Sequence, residues 1–441
     1  MKKYLLALLL LAPVAAHAAG WSFFGQKNTP SCCAVTVVGT SERIPEYTHQ
    51  MTGTDQHMTC GWPTYLPHAT SELTASFYNF YVGTQSPTGQ TIRIVQANII
   101  GGGTTSGTGT AYVPWTFGGS RSVSMAWNAA DVHTDTIYPY QMGLTGGVFP
   151  AGLYWLRTVI DVGQVGGVLP TGYYMSASGE FSYTYDPNSV ADPAIDTTAA
   201  LNNTAGMHFF GYCYAPVLLG RFTAAQSVYA ILGDSWTTGT GDVPPTAPTY
   251  AYSFPQRGMF DNSNNPFYAS LDMGVGGQDG ATFLLNTPQM IARRAYLRYE
   301  NKGFEEYGIV CILNGCTLAS LESTELQIWA TMRSAGITCI TRSRTGPRTH
   351  STNNWDDETN QTYWNSNFGP GGEVSQYDTW LVSQLGQPTG VNSLMATTPF
   401  QGVDPFKWIT NGTDFYGTPD GEHPSLTTAL GIGPTFQAAL C

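Results

Sequence analysis

The chain has 441 residues and a formal net charge of −12, and only 11% of its residues are charged. Hydrophobic residues make up 42%, which allows a sizeable core and excludes a wholly disordered chain, and the length predicts two or three domains. The 18 Lys and Arg against 30 Asp and Glu argue against nucleic acid or an anionic membrane surface as a partner, because both bind clustered basic residues.

The N-terminal residues have the pattern of a secretory signal peptide. Lys2 and Lys3 form the charged start, residues 5–16 the apolar run, and Ala16-His17-Ala18 fits the small-x-small cleavage site. The apolar run is too short to span a bilayer, and no later stretch is long and apolar enough. We therefore expect cleavage near Ala18, a mature chain without a membrane span, and a secreted or periplasmic location.

All eight cysteines lie beyond the predicted cleavage site. An even number of cysteines in an oxidising compartment predicts disulfides, although the pairing cannot be deduced from sequence. The adjacent Cys32 and Cys33 are expected to have different partners, and Cys60 is one candidate. For Cys311 and Cys316 two alternatives stay open: a disulfide that fixes the loop around them, or a buried free thiol at Cys311.

Residues 19–224 are predicted to form an all-β domain. From about residue 21 to 221, short runs alternate between apolar and polar residues and are separated by Gly, Pro, Asn and Thr, which is typical of an antiparallel sandwich or jelly roll. Tyr and Trp are plentiful there, and they either fill the core or stack on sugar rings. The clearest runs are Thr91–Val95, Arg121–Trp127, Tyr154–Ile160 and Glu180–Tyr185.

Residues 225–441 show a different pattern, in which strands and helices alternate. Apolar runs typical of buried parallel strands lie at Val228–Leu232, Gly308–Leu313 and Ile337–Ile340. We predict a doubly wound, flavodoxin-like parallel sheet with helices on both faces, and a long surface excursion over residues 342–372. The predicted helices begin at Thr287-Pro288 and cover Leu318–Arg333, Thr379–Leu385 and Leu426–Leu440.

Two short motifs in this region carry chemistry. Ser235 comes directly after the strand Val228–Leu232, at the sheet edge where open α/β folds bind ligands. A Gly-Asp-Ser turn alone is not diagnostic, because turns use these residues everywhere. Near the other end, Asp420 and His423 lie three residues apart in a loop before the last helix, so the carboxylate can hold one imidazole nitrogen while the other faces a nucleophile.

These motifs resemble the conserved blocks of the SGNH hydrolases, also called the GDSL esterase/lipase superfamily. The first block is similar to Gly233-Asp234-Ser235, the second to the stretch 272–277, and the last to the stretch 420–424. They occur in the family's order over about residues 226–441. The third block, Gly-x-Asn-Asp, is not matched, because Asn314-Gly315-Cys316-Thr317 follows the predicted strand. Either Asn314 supplies the side-chain amide, or Cys316 occupies its place and this donor is missing.

The resemblance implies a role for each residue that matches a block. Ser235 would be the nucleophile, His423 the general base, and Asp420 the carboxylate that orients His423. The oxyanion would be bound by the backbone N–H groups of Ser235 and Gly277 and by the Asn314 amide. Trp236 would either line the substrate cleft or pack beneath it. The resemblance implies no metal and no organic cofactor.

The function implied is that of an exported serine esterase acting on carboxylic esters. Relatives with an added β domain often deacetylate polysaccharides, so short acyl groups on carbohydrate are the expected substrate. A lipase or polyester hydrolase, and an acyltransferase with the same triad, stay open. An inactive carbohydrate-binding or surface protein is a further alternative; the irregular third block favours it, and the intact triad argues against it.

Two other groups of residues have spacings that suggest a cation site. Asp131, His133 and Asp135 alternate and are predicted to share one face of a strand, where a solvated surface is the preferred interpretation. The spacing of His49, His57, Cys60 and His68 is loosely metal-like, but in an exported chain we expect Cys60 to form a disulfide and the histidines to lie on the surface.

Overall fold

The computed structural model describes residues 34–40, 42–45, 47–82, 90–104, 107–171, 181–201, 203–240, 253–259 and 267–441. The predicted signal peptide, Cys32 and Cys33 lie outside the described residues. Within these ranges, no helix combines the length and the apolar character needed to cross a lipid bilayer.

The N-terminal region consists of short strands joined by turns. Its described strands are β1 (Thr36–Val37), β2 (Glu42–Arg43), β3 (Tyr47–Gln50), β4 (His57–Leu66), β5 (Thr70–Asn79), β6 (Ile92–Gly101), β7 (Ala111–Pro114), β8 (Val123–Met125), β9 (Ala129–His133), β10 (Gly152–Asp161), β11 (Val168–Thr171), β12 (Phe181–Tyr185), β13 (His208–Phe209) and β14 (Val217–Phe222). One antiparallel sheet has the order β1-β14-β5-β9, and a second has the order β13-β12-β4-β10-β6-β7, with β8 also on β6. Strands β3 and β11 pair separately.

The strand β10 shows how packing and hydrogen bonds stabilise this region. Its eight middle residues are buried, as expected for a strand between two neighbours that also face a core. Arg157 lies among them, and its guanidinium donates to the carbonyl oxygens of Gly107, Thr197 and Ala199, which offsets the cost of burying a charge. Residues of both sheets belong to one hydrophobic core, so the prediction of a β-rich N-terminal region is confirmed.

The C-terminal region alternates strands with helices. Its described strands are β15 (Val228–Leu232), β16 (Ala269–Asp272), β17 (Lys302–Glu305), β18 (Cys339–Ser343), β19 (Thr349–Ser351), β20 (Gln361–Tyr363) and β21 (Ser393–Met395). Its described helices are α1 (Ser235–Thr238), α2 (Phe254–Gly258), α3 (Gly280–Phe283), α4 (Pro288–Ala295), α5 (Ile309–Leu313), α6 (Leu318–Ser334), α7 (Glu373–Gln384) and α8 (Leu426–Ala439). The helix near residue 379 therefore begins earlier than the sequence pattern predicts.

A parallel sheet with the order β2-β16-β15-β17-β18-β21 forms the centre of the C-terminal region. Alternate residues of β15 pack on opposite sides: Val228, Ala230 and Leu232 belong to one hydrophobic cluster, Tyr229 and Ile231 to another. The sheet is therefore covered on both faces, and the prediction of an α/β fold is confirmed. Its edge strand β2 comes from the N-terminal region, which the sequence pattern does not indicate.

One predicted strand of the sheet is wrong. Gly308–Leu313 was expected to be a strand, but Ile309–Leu313 forms α5, and the strand beside β15 is β17. The sequence misleads because a short apolar run fits a buried helix as well as a strand. Strand β17 instead ends in Glu305, whose buried charge is paired with the guanidinium of Arg342 at 2.8 Å.

Three disulfides are present among the described residues. Cys60 is bonded to Cys213, so the expectation that Cys60 pairs with Cys32 or Cys33 is wrong. The bond between Cys311 and Cys316 decides between the two alternatives for this pair, and Cys311 is not a free thiol. The third disulfide joins Cys339, at the start of β18, to the C-terminal residue Cys441.

Candidate active site

Ser235 lies at the junction between β15 and α1, at the carboxyl edge of the parallel sheet. The side chain of Asp234 accepts a hydrogen bond from the backbone N–H of Trp236 at 3.1 Å and caps α1. A side chain at position 233 would contact Thr237 and Glu306, so glycine is required for the close turn. The turn leaves Ser235 partly exposed while its neighbours 234 and 236 are buried.

The loop before α8 brings His423 and Asp420 to Ser235. The His423 Nε2 atom is 2.9 Å from Ser235 Oγ, although the two residues are 188 positions apart. On the other side of the ring, His423 Nδ1 is 2.7 Å from Asp420 Oδ2. The structure thus places the three residues of the predicted triad in one hydrogen-bonded chain, in the order Ser, His, Asp.

Asp420 is held in its ionised form. Burial alone would raise its pKa, but the hydrogen bond from the His423 ring and those from the backbone N–H groups of Glu422 and His423 outweigh it and lower the pKa to about 2. The two backbone donors lie 2.8 and 2.9 Å from Asp420 Oδ1. The carboxylate is therefore fixed in place independently of the imidazole it faces.

Two indoles support the loop that carries His423. Trp236 Nε1 donates to the carbonyl oxygen of Glu422 at 2.7 Å, and Trp408 Nε1 donates to that of Gly421 at 2.9 Å. Trp236 is only 2% exposed and packs edge-on against Phe400. Of the two alternatives for Trp236, it therefore packs beneath the site and does not line a cleft.

Gly277 follows β16 in the loop beside Ser235. This loop is joined to the Ser235 turn because Val275 N–H donates to the carbonyl oxygen of Gly233 at 3.0 Å. Gly277 is exposed, has a φ of +69° and has open space where a side chain would point. In the part of the chain that the structure describes, neither the N–H of Gly277 nor that of Ser235 donates to a protein acceptor.

Asn314 does not lie at the end of a strand, where its predicted oxyanion role required it to be. It ends helix α5, its backbone N–H bonds to the carbonyl oxygen of Val310, and its residue is exposed. The expected position directly after a strand is wrong, because the strand β17 ends nine residues earlier, at Glu305. The oxyanion role of Asn314 stays a prediction. It was based on a position at the edge of the sheet, and Asn314 does not have that position.

The position directly after β17 is occupied by Glu306, which the sequence analysis did not single out. Glu306 is 5% exposed, and its Oε2 atom is 3.4 Å from the backbone nitrogen of Asp234. Burial raises the pKa of Glu306 well above its usual range, and the charge of the nearby Asp234 raises it further. A carboxyl group whose protonated form is favoured by burial thus lies beneath the turn of Ser235. Nothing in the sequence marks it, since its partner is 72 positions away.

The structure does not bring either of the two groups of residues suspected of binding a cation together into a site. Asp131 is bonded to His133 at 2.6 Å and paired with Arg298, whereas Asp135 turns away to the backbone of Gly118 and Gly119, so the shared strand face is wrong. In the second group, Cys60 is in its disulfide as expected. Each histidine of this group bonds to a different residue: His49 to Thr171, His57 to Asp192 and His68 to Phe267. His57 is buried rather than on the surface.

The sequence matches no protein-family model and none of the curated proteins. Solved structures that resemble the chain include a lipolytic protein of the G-D-S-L family from Desulfitobacterium hafniense, with 11% identity and a TM-score of 0.34 over 48% of this chain and 99% of that one. A protein from Bacillus subtilis has 11% identity and a TM-score of 0.34 over 89% and 78% of the two chains. A GDSL-like lipase from Bacteroides thetaiotaomicron has 12% identity and a TM-score of 0.31 over 48% and 89%. Two of these three proteins are described as G-D-S-L family or GDSL-like, and all three TM-scores are below 0.5.

Proposed function

We propose that the chain is an ester hydrolase that uses Ser235 as its nucleophile. The observation that carries the proposal is the hydrogen-bonded chain from Ser235 Oγ through His423 to Asp420, with distances of 2.9 and 2.7 Å. A serine hydroxyl is a weak nucleophile unless an adjacent base takes its proton, and a base works best when a third group orients it. His423 meets the first requirement and Asp420 the second.

The reaction follows from this arrangement in two halves. His423 Nε2 takes the Ser235 proton as Oγ bonds to the ester carbonyl carbon, and His423 then gives that proton to the alcohol oxygen as the alcohol leaves. Water next attacks the acyl-serine: His423 takes one proton from the water, the acid departs, and the proton returns to Ser235. Asp420 accepts from the Nδ1–H throughout and stabilises the imidazolium form.

The negative oxygen that forms during each half needs donors at a fixed position. We propose that the N–H groups of Ser235 and Gly277 bind it, because both are unpaired among the described residues and the Gly277 loop is bonded to the Ser235 turn through Val275. The left-handed backbone of Gly277 turns this N–H without strain. Glu306 is proposed to support the turn by accepting a hydrogen bond from the backbone N–H of Asp234.

The location and substrate proposed are those that the sequence indicates. Three disulfides agree with export to an oxidising compartment, as does the predicted signal peptide with cleavage near Ala18. We propose residues 19–224 as a β domain, with β2 reaching into the sheet of a hydrolase domain at 225–441. Short acyl groups on carbohydrate are the proposed substrate, and the proposed reaction uses side chains, backbone N–H groups and water.

The test is hydrolysis of p-nitrophenyl esters of increasing acyl length by the mature protein, beside Ser235→Ala. We expect turnover of the short esters that Ser235→Ala abolishes. Ser425→Ala is a matched control, because Ser425 is a nearby serine that caps α8 and whose hydroxyl bonds to Tyr416 and Thr428. Turnover that persists in Ser235→Ala would refute Ser235 as the nucleophile. A preference for long acyl chains would show that the substrate is a lipid ester and not an acylated carbohydrate.

A further inference from the structure

Two tyrosines on the N-terminal region form an exposed pair of stacked rings. Tyr138 is 42% exposed and Tyr140 is 73% exposed. Their ring centroids are 6.1 Å apart, and the ring planes differ by only 6°. Ile137 and Pro139 are buried, so the chain alternates between core and solvent here and directs both tyrosines to one side.

The segment that carries the tyrosines is held by the rest of the fold. The backbone of Ile137 exchanges two hydrogen bonds with Leu73 in the sandwich, at 2.8 and 3.0 Å. The N–H of Tyr138 donates to the side chain of Gln141 at 2.7 Å, and Met142 is buried beneath the turn. The rings are therefore in place before any ligand arrives, which lowers the entropy lost on binding.

The tyrosines border a groove of about 590 Å³ that carries no charged residue among its described lining. Leu144 and Gly143 form part of its wall, and Ser71 contributes a hydroxyl. In the described part of the chain, the hydroxyl groups of Tyr138 and Tyr140 have no protein partner. The surface thus offers aromatic faces, a shallow apolar wall and free hydroxyl groups, but no charge with which to bind an ion.

We propose that Tyr138 and Tyr140 bind a neutral polysaccharide chain. Sugar rings have flat faces of C–H groups that pack against aromatic rings, and their hydroxyl groups pair with polar groups at the rim. The two rings are parallel and stacked, and the exposed face of Tyr140 offers such a surface to one sugar unit at a time. The absence of Lys and Arg from the groove lining disfavours an anionic polymer. This binding is separate from the Ser235 site and does not require that site to hydrolyse anything.

The proposal is tested with the full mature chain carrying Ser235→Ala, so that no ester is consumed during the measurement. Binding isotherms are recorded on insoluble cellulose, chitin and xylan, and on polygalacturonate as an anionic polymer. We expect binding to at least one neutral polysaccharide, a loss of at least tenfold in affinity on adding Tyr140→Ala or Tyr138→Ala, and weaker binding to polygalacturonate. Tyr140→Phe keeps the ring and is expected to retain most of the affinity.

Phe209→Ala is the matched control, because Phe209 is 68% exposed but lies on β13, outside the groove. It is expected to leave binding unchanged. The proposal is overturned if none of the three neutral polysaccharides binds, if the double tyrosine variant binds as well as its parent, or if polygalacturonate binds best. A dimer that the double variant loses, without polysaccharide binding, would assign the surface to self-association instead.

Discussion

The indole N–H of Trp236 donates to the carbonyl oxygen of Glu422 at 2.7 Å. Trp236, which follows the proposed nucleophile Ser235, thereby holds Glu422, which precedes the proposed base His423. Two segments 186 positions apart are thus joined at their functional ends by one buried hydrogen bond. The distance between Ser235 and His423 depends on this contact as well as on their own hydrogen bond.

Trp236→Phe is expected to lower kcat on short p-nitrophenyl esters on the order of tenfold, because one hydrogen bond contributes about 1 kcal/mol to holding the loop. The aromatic packing against Phe400 is kept, so the unfolding temperature should change little. Trp408→Phe removes the neighbouring bond to Gly421 and should have a similar effect. Unchanged kcat in both variants would show that the loop is held without the indoles.

Asp420→Asn is expected to lower kcat on the order of 10⁴-fold, since an amide cannot hold the His423 tautomer that accepts a proton from Ser235. Hydrogen bonds keep the pKa of Asp420 at about 2, so the carboxylate is ionised throughout the usual assay range. The loss should therefore be similar at every pH tested. Asp414→Asn changes an exposed carboxylate in the same region that bonds only to Asn354, and is the control. A loss confined to low pH would contradict the assignment.

Asn314→Ala tests the remaining oxyanion prediction. A side-chain donor to the oxyanion typically contributes about 2.7–4 kcal/mol, or 10²–10³ in kcat. Because Asn314 is exposed at the end of α5, we expect the substitution to change kcat by less than about threefold. A loss of a hundredfold or more would instead show that Asn314 reaches the site when substrate is bound.

Glu42→Gln tests a buried carboxyl between the two regions. Glu42 is 1% exposed and accepts from Thr64 at 2.6 Å, and burial raises its pKa from 4.5 to about 7. The folded state therefore favours the protonated form: its stabilising effect is complete below about pH 4.5 and is lost as the pH rises through about 7.

Over that interval the parent chain should lose about 3 kcal/mol of unfolding free energy relative to Glu42→Gln, which carries no titrating group there. Denaturant unfolding at about pH 5 and about pH 8, analysed as the difference between the two proteins, measures this quantity. The difference cancels the titration of all other groups. Parallel curves for the two proteins would show that Glu42 does not titrate in this range.

Glu306→Gln and Glu306→Leu separate the two properties of the carboxyl beneath Ser235. The amide keeps both the hydrogen-bonding shape and the neutral charge, so we expect kcat within about threefold of the parent. Leucine leaves the buried N–H of Asp234 without its acceptor, and we expect about tenfold lower kcat and about 1–3 kcal/mol lower stability. If Glu306→Gln loses as much activity as Glu306→Leu, the carboxyl acts in its charged form.

The sequence predicts the elements that local patterns control, and the three residues of its predicted triad lie within hydrogen-bonding distance of one another. The strand Val228–Leu232 is matched residue for residue, because its continuous apolar run is bounded by a turn. Ser235, Asp420 and His423 follow from short motifs whose neighbours in sequence are also neighbours in space. The second block is likewise found at the end of β16.

The errors in the predicted strands arise where a residue distant in the sequence changes the environment that a side chain can occupy. Glu305 ends a buried strand only because Arg342, 37 positions away, neutralises it, and no local pattern reports that pairing. The apolar run 309–313 was therefore assigned to the sheet in place of the polar strand β17. The contact of Trp236 with Glu422 and the pairing of Asp234 with Glu306 are hidden for the same reason.

The disulfide between Cys339 and Cys441 has a consequence for the segment that carries the proposed base. It closes a loop of 102 positions that contains Asp420 and His423 but not Ser235. The final helix α8 is thus tied at its far end to the central sheet, and the base that precedes it is confined between that bond and the two indoles. In a reducing compartment the C-terminal segment would be free to fray away from the serine while the sheet stays folded. The disulfide therefore adds a covalent restraint to the hydrogen bonds that hold the proposed base near Ser235.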